Sequence, residues 1–358
     1  MKSSSQRIVE LDGLRAFAAW VVAIYHMSLY SGALPQGPTW VSRPVTFTGE
    51  HGVDVFFIIS GFIITRLLLR ERERFGSVSL SGFYARRFFR IVPPFATYLL
   101  VLAGLRALGA VLISNRNLLW SGLFLQDVAP YDARGWLVGH TWSLSVEEQF
   151  YLIFPPVLCY LGFRARGTLI GLGGFYALCV GSLILSEALG RHFGPAWASV
   201  KCLYYFRYIV VGVVIAIHDR RVLGVLENKS RFVPAALAIG IIWMAGLRPT
   251  GIGLRVLVAA IEPCVCGLFV MWFVANPSRC ATLRNPVIQW FGACSYSVYL
   301  WQQLFAGPAY CYHGWSPTWA IPSIVAIAAC AGASYYLIER PGIRVGHAVS
   351  ARRRAQKK

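Results

Sequence analysis

Acidic residues are scarce in this chain. Asp and Glu number 15 in 358 residues, against 34 Lys and Arg. Charged residues of both signs make up only 14% of the chain, whereas 56% is hydrophobic. So little charge cannot wet the surface of a soluble protein of this length, which excludes an ordinary water-soluble globule. Long polar stretches are missing too, so no separate soluble domain fits between the apolar runs. Nine cysteines are present, but nearly all lie inside apolar segments, and Cys264-Val-Cys266 has no second pair at zinc-ligand spacing. That excludes a disulfide scaffold or a structural zinc site and leaves the cysteines as small packing residues. No internal repeat is visible, which counts against many transporter folds. The net charge of +19 does not signal nucleic acid. The basic residues sit in short stretches between apolar runs, where orientation in a bilayer accounts for them.

What the chain does hold is a succession of membrane-length apolar runs. They fall near 11–33, 51–69, 91–113, 141–163, 168–187, 200–218, 232–248, 254–276, 286–308 and 318–338. About ten such spans predict an all-α integral membrane bundle with both termini cytoplasmic. The run 117–127 is too short to cross and is predicted to be re-entrant or interfacial. With this count the inner segments collect about 23 Lys and Arg residues and the outer ones about seven. Were 117–127 to cross, Arg164, Arg166, Arg220 and Arg221 would all move outside. Lys2, Arg7 and Ser31-Gly32-Ala33 give the outline of a signal peptide, but the run between them is long and holds Arg15 and His26, so it is taken as a retained first span. The expected organisation is one transmembrane domain over 1–345 and a basic, disordered cytoplasmic tail over 346–358, ending RRRAQKK and drawn to anionic lipid headgroups. Richness in Arg, Ala and Gly points to a bacterial source, so a multi-pass protein of a bacterial inner membrane is the expected setting.

The stretch Leu11–His26 places Asp12, Arg15 and His26 in the first span. Arg15 and His26 are eleven residues apart, about 16 Å along a helix and near three full turns, so they share a face. Ionisable groups at that depth face a protein interior or a watery cavity. Either residue taken alone also fits snorkelling or a bond to a neighbouring helix. The second span begins His51-Gly52-Val53-Asp54 and carries Ser60-Gly61 midway, where small residues let a helix or a ligand come close. Arg86, Arg87 and Arg90 cluster at the start of the third span, suited either to phosphate binding or to plain inner-loop charge. The fourth span opens His140-Thr141-Trp142-Ser143-Leu144-Ser145-Val146-Glu147-Glu148. Ser145 and Glu148 have capping-box spacing, which leaves Glu147 as the carboxylate expected to turn inward. Trp136, Trp142, Trp315 and Trp319 fit interface anchors better than a sugar platform.

Taken in order, these residues resemble the membrane acyltransferase-3 family, the polysaccharide O-acetyltransferases and related acyl-modifying enzymes. The resemblance rests on Asp12-Gly13-Leu14-Arg15 with His26, Gly52-Val53-Asp54-Val55-Phe56-Phe57 running into Ser60-Gly61-Phe62, and Arg87-x-x-Arg90. It continues through Thr141–Tyr151, Ser295-Tyr296-Ser297-Val298-Tyr299-Leu300-Trp301 and Glu339-Arg340-Pro341, and covers about residues 7 to 342. It implies transfer of an acyl group, often acetyl from acetyl-CoA, to a hydroxyl of a sugar, polysaccharide or lipid-linked glycan, without a metal. The matching histidine, His26, is then the catalytic base. Glu147, or second Asp54, orients its ring, and Arg15 stabilises charge or holds the site together. Arg87 and Arg90, with Arg86, Ser60 and Gly61, are expected on the acyl-CoA side. Trp142, Ser143, Tyr299 and Gln302 are expected on the acceptor side. Family members commonly carry histidine where this chain has Gln302, and glutamine can hydrogen-bond but carries no proton. Two other classes remain: a transporter or flippase using the same residues as a proton relay, and a non-catalytic scaffold.

Overall fold

A computed structural model describes residues 7–30, 39–130, 132–161, 165–193, 198–246, 251–315 and 320–355. Among them the chain is helical, with a single isolated bridge between Val111 and Tyr312. The helices are α1 (Val9–Tyr30), α2 (Thr39–Phe75), α3 (Leu80–Ala107), α4 (Asn115–Gly122), α5 (Trp136–Gly139) and α6 (Thr141–Tyr160). They continue as α7 (Ala165–Phe193), α8 (Ala198–Ile217), α9 (Asp219–Leu226), α10 (Val233–Gly246) and α11 (Ile252–Ala275). The last four are α12 (Pro286–Ala293), α13 (Ser295–Trp301), α14 (Ala320–Ser334) and α15 (Arg340–Ala355).

Five described helical segments are long and apolar enough to cross a membrane: His51–Phe75, Leu80–Ala107, Gly167–Leu185, Ile252–Ala275 and Ile321–Ala355. Leu203–Ile217 and Val233–Met244 are shorter apolar helices. The other predicted runs fall short for physical reasons. Helix α1 spends Glu10, Asp12 and Arg15 in its first two turns, and α6 carries Glu147 and Glu148. The run 286–308 is not one helix. It breaks at Cys294 into α12 and α13 and then tightens into a 3₁₀ turn over Gln302–Phe305. Every residue of α13 is buried, so its apolar character serves the interior rather than lipid. The run 117–127 forms only the eight-residue α4 followed by turns, too short to cross.

Of the tail expected to be disordered, residues 346–355 are helical, and 356–358 lie outside the described residues. Residues 340–355 form a helix continuous with α14 through a π-helical turn at Tyr335–Glu339. Pro341 offers no N–H to the carbonyls one turn back, and the wider π turn before it relieves its ring against them. The new helix lies along α3, and Arg86 donates to Glu71 at 3.0 Å and to Ser350. Arg354 pairs with the same Glu71. Helix α2 crosses α8 through two glycines. A side chain at Gly61 would collide with the Ile209 carbonyl, and one at Gly212 with the Ile58 carbonyl. Backbones that close leave no room for a Cβ on either side, which is the physical demand for both glycines. The core runs from Leu11 and Phe57 through Tyr98 and Tyr208 to Leu300.

Candidate functional site

Three cavities share walls through the bundle. The first, about 600 Å³, is lined by His26, His51, Asp54, His140, Trp142 and Arg207 among others. The second, about 490 Å³, is lined by Arg7, Arg15, Arg66, Arg70, Arg87 and Arg90, with Asp12 as its lining carboxylate. Between them lies a narrow space of about 40 Å³. It shares Val53 and Tyr299 with the histidine-lined cavity, and Arg15 and Ser60 with the arginine-lined one. Ser143 and Glu147 also line it.

His26 sits on α1 with its Nδ1 3.0 Å from Oε1 of Gln302, whose side chain is fully buried on the 3₁₀ turn. An amide oxygen can only accept, so Nδ1 carries the hydrogen and Nε2 is left with the lone pair. Trp136 meets the imidazole edge-on at 5.5 Å. The next residue, Gln303, holds a second histidine. The backbone N–H of His140 donates to Gln303 Oε1 at 2.9 Å, and His140 Nδ1 lies 2.6 Å from the same oxygen. Tyr299 donates its hydroxyl hydrogen to the His140 carbonyl at 3.0 Å, and Ser143 Oγ lies 2.6 Å from the Tyr299 oxygen. Ser143 and Tyr299 thus brace the start of α6 at the narrow junction.

Glu147 belongs to that junction. Ser60 donates to its Oε1 at 2.8 Å, and the Tyr151 hydroxyl stands 3.1 Å from its Oε2. The Arg87 guanidinium lies 4.7 Å over the Tyr151 ring. Arg15 opens onto both the junction and the arginine-lined cavity, and lies over Phe56 at 6.0 Å. Arg87 and Arg90 are three residues apart on α3, and Arg66 and Arg70 four apart on α2, so each pair presents two guanidinium groups on one face. Arg66 is paired with Asp219 at 3.6 Å; Arg15, Arg87 and Arg90 have no carboxylate within salt-bridge distance among the described residues. Loosely paired arginines lining a cavity of this size suit a ligand bearing several phosphates.

Several expectations are corrected. His26 is oriented by Gln302, and not by Glu147 or Asp54. Glu147 is engaged by Ser60 and Tyr151, on the Arg15 side of the junction. Asp54 is engaged by His51, whose Nδ1 lies 2.7 Å from Asp54 Oδ2 and 3.5 Å from Glu262 Oε1. Arg15, about 16 Å along the helix from His26, lines the junction and the arginine-lined cavity but not the histidine-lined one. Arg86 lies outside the arginine-lined cavity and ties α3 to α2 and α15. Gly61 serves the helix crossing, while its neighbour Ser60 lines the cavities. Ser145 is no helix cap: α6 already begins at Thr141, and Ser145 Oγ donates to the Thr141 carbonyl at 3.0 Å. Trp142 is not an interface anchor but lines the histidine cavity, 4.4 Å from the ring of Tyr205. Trp315 is exposed and donates to the Ala110 carbonyl, and Trp319 lies outside the described residues.

Some lining residues had not been singled out in the sequence. Arg207 of α8 donates to Glu262 of α11 at 3.1 Å, to the Tyr208 hydroxyl at 2.9 Å and to the Ala259 carbonyl at 2.9 Å. It stacks 3.5 Å over Tyr204. His51, Asp54 and Glu262 bring their ligand atoms within 4.8 Å of one another, an arrangement able to hold a cation, and Arg207 already places positive charge on Glu262. The available signal was an ionisable residue inside an apolar run, the same one that singled out Arg15 and His26.

The family model described as an acyltransferase domain matches residues 8–338. The O-acetyltransferase OatA of Staphylococcus aureus strain NCTC 8325 is 32% identical over 173 residues, which is 44% of this chain and 25% of that protein. The same figures hold for OatA of strain COL. The protein of strain COL named "Putative O-acetyltransferase SACOL0978" is 31% identical over 166 residues, 42% of this chain and 24% of that protein. The chain therefore spans about a quarter of the length of these curated relatives. No solved structure matches it. The match over 8–338, together with the helical bundle it covers, makes this chain a member of the acyltransferase-3 family of membrane proteins.

Proposed function

We propose that the protein moves an acyl group, acetyl foremost, from acyl-CoA to a hydroxyl of a sugar, polysaccharide or lipid-linked glycan. The observation that carries the reading is the line of three cavities joining His26 to the arginine cluster. Arg87 and Arg90, helped by Arg66 and Arg70, hold the phosphates of the donor. The narrow junction between Ser60, Glu147 and Tyr299 passes the donor's thioester arm toward His26. His26, its Nδ1–H fixed on Gln302, accepts the acceptor's hydroxyl proton at Nε2 as that oxygen attacks the thioester carbonyl. The C–S bond breaks, the ester forms, and the imidazolium returns the proton to the departing thiolate. Tyr151, bonded to Glu147, holds Arg87 at the mouth of the junction, which Arg15 also lines. The arginine cluster then faces the cytoplasm, and both termini lie on that side of about ten membrane crossings, in keeping with the inner excess of Lys and Arg.

The test is thiol release from acetyl-CoA by the purified protein in lipid nanodiscs, with surface glycans as acceptor. His26→Ala is expected to lose about 10²–10⁴-fold in turnover while keeping its melting temperature. Near-normal release by that variant removes His26 from the chemistry. Substrate movement without thiol release identifies a transporter instead.

A further inference from the structure

We propose that Arg66 and Arg70 form a subsite for a phosphomonoester, so that the arginine-lined cavity selects a donor with a terminal phosphate besides its diphosphate, as coenzyme A carries on its ribose. This rests on the reading of that cavity as the donor side. The argument is one of position along α2. That helix lines all three cavities in turn: His51 and Asp54 the histidine-lined one, Ser60 the junction, and Arg66 and Arg70 the arginine-lined one. At about 1.5 Å per residue, Arg66 lies about 9 Å and Arg70 about 15 Å beyond Ser60 along the helix. Arg87 of α3, by contrast, stands close to the junction, 4.7 Å over the ring of Tyr151, whose hydroxyl lies 3.1 Å from Ser60 Oγ. A donor whose thioester enters the junction therefore meets Arg87 before it meets Arg66 and Arg70. In an acyl-CoA the groups come in the same order: the diphosphate follows the thioester arm, and the phosphomonoester lies beyond it.

The outer pair is also chemically open. Arg66 holds its Nε 3.6 Å from Asp219 Oδ2, too long for a hydrogen bond, and its buried Nε and Nη1 meet no acceptor among the described residues. Buried donors left without an acceptor are costly, and a phosphate oxygen removes that cost. Arg70 has no carboxylate within salt-bridge distance among the described residues, and it lines the cavity beside Arg66. Four-residue spacing sets the two guanidinium forks on one face of α2. A phosphomonoester is nearly doubly charged at neutral pH and offers three oxygens, enough to be shared between two such forks. A lipid headgroup of the inner leaflet can present the same phosphomonoester, and the experiment separates the two sources.

The full chain in neutral-lipid nanodiscs is assayed for thiol release from acetyl-CoA and from acetyl-dephospho-CoA, which lacks only the ribose phosphate. KM for the dephospho donor is expected to be about tenfold or more higher, with kcat little changed. Arg70→Gln is expected to narrow that gap to within about twofold by raising KM for acetyl-CoA, whereas Arg90→Gln raises KM for both donors alike. Should a variant fail to fold, the ranking of the two donors by the unmodified protein decides. Equal KM values for the two donors, or a gap that Arg70→Gln leaves intact, overturns the proposal. The gap is expected to persist when phosphatidic acid is added to the nanodiscs; its loss there assigns the arginine pair to lipid and overturns the proposal too. Calorimetric titration with CoA and dephospho-CoA, run beside the assay, tells the two readings apart. Release with equal KM overturns only the phosphate subsite, tighter binding of CoA without release overturns only acyl transfer, and no binding of either overturns both.

Discussion

Replacing Gln302 by methionine keeps the length and nearly the volume of the side chain but removes its hydrogen-bonding oxygen. His26 Nδ1 now lies 3.0 Å from that oxygen, and Gln302 is fully buried, so no water stands ready to replace it. Loss of a neutral hydrogen bond with one partner left in a buried setting costs about 1–2 kcal/mol. Expressed in the transition state, that corresponds to about five- to thirtyfold in kcat/KM. The loss falls on kcat, since the arginines that hold the donor are on the far side of the junction and KM for acyl-CoA stays close to its normal value. Gln302→Glu retains an acceptor oxygen at the same position and is expected to keep most of the activity that Gln302→Met loses. The assay is thiol release over a range of acetyl-CoA concentrations, with melting temperature as control. Full activity in Gln302→Met, or equal loss in both variants at unchanged stability, would refute the idea that this amide sets the tautomer of His26.

Other perturbations have clear outcomes. Arg90→Ala is expected to raise KM for acyl-CoA about tenfold or more by removing a charge-assisted phosphate contact, and to flatten the dependence of KM on salt. Gly61→Leu drives a side chain into the Ile209 carbonyl and is expected to destabilise the α2–α8 crossing by about 2 kcal/mol or more, seen as a lowered melting temperature or lost expression. Glu71→Gln removes the carboxylate shared by Arg86 and Arg354, and faster amide exchange confined to α15 checks it. In the loop before α5, the Asp132 carboxyl is held below its ordinary range, first by the Arg134 backbone N–H and then by Ser114 and Asn117. A depressed folded pKa stabilises above the unfolded carboxylate value of about 4 and is lost as pH falls below it. Amide exchange in residues 132–136 is thus expected to quicken below about pH 4, and Asp132→Asn to abolish that pH dependence.

The helical membrane bundle was legible because its cause is compositional: apolar runs of bilayer length leave little else to form. His26 and the arginine pair on α3 were legible because ionisable residues in such runs are costly and so informative. The partners of those residues were less so. Nothing in the spacing of 26 and 302 announces that they meet, since the contact spans most of the chain and depends on α13 ending in a 3₁₀ turn. Glu147 and Asp54 were expected to serve His26 because carboxylates commonly orient imidazoles, yet each found another neighbour first. Arg207 and Glu262 carried the same signal as Arg15 but lay outside any recognised motif. The helix over 346–355 was not legible because its charge suggests solvent, whereas Glu71 of α2 pairs with Arg354 on it.

Gln302 and Gln303 are adjacent in the chain, yet they reach helices that are far apart in it. One grips α1 through His26, the other the head of α6 through His140. In a 3₁₀ turn successive side chains diverge by about 120°, which lets neighbours serve opposite walls. The turn therefore works as a crossbar. Anything that slides it along its axis, whether heat, detergent or a bulky ligand, must disturb both imidazoles together, so the two histidines are expected to lose order in a single step rather than one after the other.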